Sequence, residues 1–254
     1  MQGVSANISI MYPELPFLDR FAAAAADGFR AVECWFPYDH SAGRIDALLR
    51  ENGLRMVGIN TAPGNAGEWG LAALPGRHAD FAAALSQALD YAATCGSAVH
   101  VMAGMVGGMP RAEAEAAYLA SLERAVDLAA GSGVQLLIEA LNSRDRPGYF
   151  LSRSDQAAAI LARPGLESLR LMFDCYHVQI EEGDLVTRLR RHYPLIGHVQ
   201  IASVPDRTEP DQGEVNYAYV LSELRRLGWT GWVGAEYRPR TTTREGLGWI
   251  AALS

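Results

Sequence analysis

LLIEA (136–140), LRLMFD (169–174), GHVQIA (197–202) and WVGAEY (232–237) are four short apolar runs, and each carries one oxygen-bearing side chain near its end: Glu139, Asp174, Gln200 and Glu236. Runs of this length bounded by helical patterns read as buried strands of a parallel sheet. One polar oxygen at the same relative position in four successive strands gathers hard ligands at one end of that sheet. Carboxylates facing one another there repel and lose hydration, a cost that a divalent cation offsets. An oxygen set suits Mg²⁺ or Mn²⁺, whereas zinc more often recruits histidine or cysteine. The four runs therefore predict a metal site on the mouth of a parallel barrel, held by Glu139, Asp174, Gln200 and Glu236.

Working outward, strand-like runs are expected at 5–10, 31–35, 55–60, 98–103, 134–139, 169–174, 196–202 and 232–237. Helical patterns separate them, most clearly at 76–95 and 111–130, where Ala and Leu alternate with charges at helical spacing, as in SLERAVDLAA (121–130). Eight such units in 254 residues fit an α/β fold of the (β/α)8 or TIM barrel type, as a single domain over 1–254. Gly28, Gly53, Gly96, Gly131, Gly133, Gly165 and Gly228 each close a helix shortly before the next strand and read as C-caps. Connections in the other sense are longer and polar: TAPGNAGEWGLAALPG (61–76), GMVGGMP (104–110), NSRDRPGYFL (142–151) and SVPDRTEPDQGEVN (203–216). Function is thus expected at the C-terminal mouth. A doubly wound open sheet would need a glycine-rich phosphate turn after its first strand, and NISIMYPELPFLDR (7–20) has none. The Gly104, Gly107 and Gly108 cluster lacks the GxGxxG register and reads as a flexible loop.

With 49% hydrophobic and 20% charged residues there is material for one large core and no case for disorder. The formal net charge of -7 opposes binding to nucleic acid or an anionic membrane and favours a small soluble substrate. Cys34, Cys95 and Cys175 cannot all pair and follow no metal spacing, which points to a reducing compartment, the cytoplasm. The N-terminus lacks a basic region followed by a long apolar one, and no apolar run nears the roughly 18 residues of a membrane helix. A homo-oligomer is a possible assembly.

Among other candidates, His177 follows Asp174 by three residues in FDCYH, and His198 shares the face of Gln200 two residues on. Arg207, in the loop after the seventh strand, could clamp a carboxylate or phosphate through two parallel hydrogen bonds.

FPYD (36–39), LPGR (74–77), IEALN (138–142), FDCYH (173–177), GHVQIA (197–202), GEVNY (213–217) and VGAEYRPRTTTREGL (233–247) together resemble the hydroxypyruvate isomerase family, within the xylose isomerase-like TIM barrels. The likeness runs over essentially the whole chain, although Asn60 stands where relatives commonly have histidine and Ala140 where they often have proline. The resemblance implies that Glu139, Asp174, Gln200 and Glu236 hold the metal and that Glu139 and Glu236 act as acid/base groups. It implies interconversion of hydroxypyruvate and tartronate semialdehyde through an enediolate, with Mg²⁺ or Mn²⁺ as the only cofactor. A 2-oxo-tetronate isomerase and a ketose 3-epimerase are alternatives in the same family. An abasic-site endonuclease would call for several metals, more histidines and a basic face; a non-catalytic sugar-binding barrel would have lost a ligand carboxylate. A 2-oxo acid entering a mouth lined by carboxylates needs cations, and Arg207 and Arg77, with His177 as a further donor, are the expected substrate-binding residues.

Overall fold

The computed structural model describes residues 1–253. Nine parallel strand segments are present: β1 (Gly3–Asn7), β2 (Ala31–Glu33), β3 (Arg55–Met56), β4 (Gly58–Asn60), β5 (Ala98–His100), β6 (Leu136–Glu139), β7 (Arg170–Asp174), β8 (Ile196–Ile201) and β9 (Trp232–Ala235). Their order is β3, β2, β1, β9, β8, β7, β6, β5, β4. β3 and β4 are two halves of one barrel strand, because the residue between them bridges both neighbours. Val57 donates its N–H to Val32 (2.8 Å) and accepts from the N–H of Ala98 (3.1 Å). The ends of the sheet therefore meet, and the nine segments fill the eight strand positions of a closed (β/α)8 barrel.

Helices pack outside this ring. The two strongest patterns form His78–Cys95 and Arg111–Ala129, close to the expected 76–95 and 111–130. Each glycine read as a C-cap has positive φ, from 63° at Gly53 to 93° at Gly28, the conformation in which a helix ends without a Cβ penalty.

The first strand is displaced from its expected place at 5–10. It occupies Gly3–Asn7, and the chain then turns, with the N–H of Met11 donating to the carbonyl of Asn7 (2.9 Å). Ile8 and Met11 are fully buried all the same. Their apolarity reports core contact after the strand has ended, and the Arg20 guanidinium takes up the freed carbonyls of Ile8 (2.8 Å) and Ser9 (3.2 Å).

The register assembles the interior. Asp174 on β7 lies beside Gln200 on β8, Gln200 beside Gly234 on β9, and Gly234 beside Ser5 on β1. Gly234 is there for space: a Cβ on it would stand 2.6 Å from both carboxylate oxygens of Glu33. Its absence admits that carboxylate to the barrel interior beneath the mouth.

The segment around Gly104, expected as a flexible loop, is stitched on both sides. The N–H of Met105 donates to Glu68 (2.7 Å), that of Val106 to Gly148 (2.8 Å), and the carbonyl of Gly104 accepts from Phe150 (3.0 Å). Gly104 has a φ of 109°, and a Cβ there would meet the carbonyl oxygen of Gly70 at 2.5 Å. The glycine serves a close crossing of two mouth loops, and no phosphate cradle is needed to explain it.

Candidate active site

Glu139 ends β6, Asp174 ends β7, Gln200 lies in β8, and Glu236 follows β9, where its N–H still donates to Ile201 (3.1 Å). All four side chains are buried and converge at the C-terminal mouth. Asp174 also caps the helix Cys175–Glu181 by accepting from the N–H of Tyr176 (2.8 Å). That cap brings His177 back over the strand end, with Nε2 3.6 Å from Asp174. Ligand atoms of Glu139, Asp174 and His177 lie within 4.8 Å of one another, a grouping able to hold a metal ion. His177 thus stands nearer the carboxylates than its expected place as a substrate donor requires.

Gln200 is fixed by what its amide donates to. Its Nε2 donates to Glu33 (2.7 Å) and to Glu236, while its Oε1 is buried with no hydrogen-bond partner among the described residues. A buried amide oxygen left unpaired costs free energy unless something electropositive meets it. This orphaned oxygen, beside three buried carboxylates, fits a divalent cation by donor chemistry.

The electrostatics agree. Burial, then the charges of Asp174 and Glu236, push the Glu139 carboxyl well above the ordinary carboxylate range. Burial raises Glu236 to about 8, although Arg207 pulls the other way, and raises Asp174 against the same guanidinium. Burial also acts on Glu33, but His198, Gln200 and Ser5 overcome it and hold that carboxyl below its usual value. His198 donates or accepts at 2.7 Å from Glu33 and so sits inside the barrel, under the mouth.

Arg207 comes into the site, in a left-handed backbone conformation (φ 54°) held by the N–H of Arg238, which donates to its carbonyl (2.8 Å). Its guanidinium lies 4.7 Å from the Tyr176 ring centroid and reaches Glu236 (2.6 Å) and Asp174 (3.4 Å). The expected substrate cation is therefore already engaged by two of the expected metal ligands. Arg77 is not in the site. It precedes the helix His78–Cys95, pairs with Glu68 and Asp80, and is not among the residues lining the cavity.

His177 is held as the neutral imidazole. Its Nδ1 accepts the backbone N–H of Asn142 (3.1 Å), and burial followed by Arg207 keeps its pKa well below the usual value. The proton consequently sits on Nε2, facing the carboxylates. His100, 3.5 Å from Glu139, is neutral for the same reason, burial lowering it to about 3.

Glu33, Glu139, Gln200, Glu236, His100, His177 and Arg207 line one cavity together with Asn60, Trp69, Asp145 and Arg146, while Asp174 and His198 are not part of its lining. Glu33, His100, Trp69 and Arg146 escaped the sequence reading. Glu33 had a usable signal, a lone carboxylate inside the apolar run FRAVECWF (29–36). Arg146 stood in view within NSRDRPGYFL, but only the folded loop turns it toward the cavity.

A family model described as xylose isomerase-like TIM barrel matches residues 21–253. The 2-oxo-tetronate isomerase of Cupriavidus necator is 53% identical over 254 residues, 98% of each chain. The hydroxypyruvate isomerase of Escherichia coli is 36% identical over the same shares. A crystal structure described as an AP endonuclease, family 2, from Brucella melitensis superposes with a TM-score of 0.97 at 41% identity, covering 99% of both chains. On this full-length agreement the chain belongs to the xylose isomerase-like TIM barrel family, among its hydroxypyruvate isomerase relatives, and is an enzyme of the aldose–ketose isomerase type.

Proposed function

We propose that the protein is a divalent-metal-dependent isomerase of a short 2-oxo acid, of the 2-oxo-tetronate type, shifting the carbonyl from C2 to C3. The observation that carries this reading is the convergence of Glu139, Glu236 and the unpaired Oε1 of Gln200 in one cavity, with the buried Asp174 carboxylate grouped with Glu139 beside it. The four-carbon acid is preferred over hydroxypyruvate because the 2-oxo-tetronate isomerase of C. necator shares 53% of residues, against 36% for the E. coli hydroxypyruvate isomerase. Hydroxypyruvate is the second reading, supported by the human relative, a putative hydroxypyruvate isomerase 44% identical over 257 residues, 97% of this chain and 93% of that one.

Glu139, Asp174, Gln200 through Oε1, and Glu236 would hold Mg²⁺ or Mn²⁺, with His177 beside them. When bound, that ion supplies Lewis-acid polarisation of the substrate carbonyl and positive charge for the enediolate. The chain's own residues do the rest. One of Glu139 and Glu236 accepts the proton on C3, the C2–C3 bond becomes double as the carbonyl electrons move to O2, and a proton is then delivered to C2 while the O3 hydroxyl proton is transferred to O2. The new carbonyl stands at C3, with no net change in redox state. Neutral His177 offers an Nε2–H to the developing oxyanion, as electrostatic stabilisation requires.

An endonuclease reading is disfavoured by the net charge of -7 and by a single metal-capable His/Cys/Asp/Glu grouping among the described residues. No helix among them is long and apolar enough to cross a membrane.

The test is turnover of 2-oxo-tetronate, hydroxypyruvate and the neutral ketose erythrulose by metal-stripped protein, with and without Mn²⁺ or Mg²⁺. We expect the two acids to be turned over only with metal, the four-carbon acid with the highest kcat/KM. Metal-independent turnover, or a preference for erythrulose, would reject the proposal.

A further inference from the structure

Two guanidiniums line the cavity, and they are in opposite electrostatic situations. Arg207 is spent on Glu236 and Asp174. Arg146 has no carboxylate within ion-pair distance among the described residues, and its one hydrogen bond runs from Nη1 to the carbonyl of Asp145 (2.9 Å). Its guanidinium carbon lies 3.7 Å from the centroid of the Trp69 ring. Stacking of that kind fixes the plane of the fork without consuming its N–H donors.

Both partners are placed by backbone. Arg146 donates its N–H to Asn142 (3.1 Å), the residue that also orients His177, and its carbonyl accepts from Tyr149 (3.1 Å). Trp69 has a φ of 50° and sits between Glu68, whose carbonyl accepts from Met105 (2.7 Å), and Gly70, whose N–H donates to Pro63 (2.8 Å). The ion pair of Arg77 with Glu68 anchors the same loop from outside. A planar cation with free donors, held rigidly in a cavity whose other cation is occupied, is built to receive a planar anion.

We propose that Arg146, stacked on Trp69, is the receptor for the substrate's carboxylate and the residue that selects 2-oxo acids over neutral ketoses, while Arg207 serves the carboxylates of the site itself. This rests on the isomerase reading for its substrate, but the subsite can be tested without turnover. The probe is erythronate, a four-carbon hydroxy acid with no carbonyl to isomerise, titrated calorimetrically into Mn²⁺-loaded protein beside uncharged erythritol. Arg146→Ala should weaken erythronate by about tenfold or more, the scale of losing a charge-assisted pair, and leave erythritol and Mn²⁺ binding unchanged. Arg146→Lys should recover only part of the loss, because a point charge lacks the fork. In turnover, Arg146→Ala should raise KM for the acid by a similar factor, with the loss falling on KM more than on kcat. Unchanged erythronate binding in Arg146→Ala, or equal loss of erythronate and erythritol, would overturn the proposal, the latter by showing that Arg146 merely packs the loop. Arg146-dependent erythronate binding without any acid turnover would reject the isomerase reading and leave the subsite standing. Acid turnover with no Arg146 dependence would do the reverse.

Discussion

Gln200 has two amide hydrogens, and Glu33 and Glu236 take them both. Which way its oxygen points is therefore decided by a carboxylate that lies under the site. Replacing Glu33 by Gln would keep the volume, weaken the hold on Gln200 and leave His198 beside a neutral partner. We expect Mn²⁺ affinity to fall about 10- to 100-fold, the usual effect of disturbing a group that orients a ligand, as read by calorimetry. Unchanged affinity would show that Gln200 needs no such support. Titration gives a second residue-scale expectation. Glu236 ionises at about 8 in the folded chain against 4.5 as a free side chain, with Glu139 shifted the same way. Between those values the folded state holds protons that the unfolded state has released, so stability must fall as pH rises from about 4.5 to about 8. Chelator-treated protein should thus melt lower at pH 8 than at pH 5.5, Glu236→Gln should flatten the slope, and added Mn²⁺ should reverse it. A melting point that climbs over this interval would contradict the buried protonated carboxyl. Glu139, Asp174, Gln200 and Glu236 could be picked out in the sequence because each closes an apolar run. Arg146 and Glu33 could not be paired with their partners, because Trp69 and His198 lie far away along the chain and only barrel closure joins them.

At the scale of elements, the barrel tolerates Glu33 only because β9 carries Gly234 opposite it. A methyl group there would have to displace a carboxylate that anchors both His198 and Gln200. Gly234→Ala should cost about 1–3 kcal/mol, the range for forcing atoms into a packed interior, or roughly 2–4 °C of melting temperature per kcal/mol. It should also lower Mn²⁺ affinity with no ligand touched. Thermal melts and calorimetry on the same variant would separate the two effects, and full affinity at reduced stability would mean that Glu33 has simply moved aside. Helix boundaries were readable to within two residues at His78–Cys95 and Arg111–Ala129 because their patterns are long and their ends are marked. β1 was not, since Ile8 and Met11 stay buried beyond the strand and period alone cannot say where a ladder stops. The Gly104 segment misled for a related reason: glycine permits mobility and close backbone approach alike, and only the neighbouring Gly70 decides between them.

For the molecule as a whole, eight strand and helix units were countable from periodicity, with glycine punctuation marking the helix ends. What composition could not supply was the joining of the ring at the third strand. That closure through Val57 has a bearing on how the protein comes apart. Every strand segment has a neighbour on each side once β3 and β4 are taken together, so the native state offers no bare row of amides on which another chain could template. Association through β-pairing would first require the ring to be unzipped, and β2 with β3 forms one of its shortest ladders, pairing Ala31 with Arg55 and Val32 with Met56, against four register pairs between β7 and β8. Amide protons at 55–60 should accordingly exchange with deuterium sooner than those of β7, β8 and β9, and conditions that speed exchange there should be the ones that bring on aggregation.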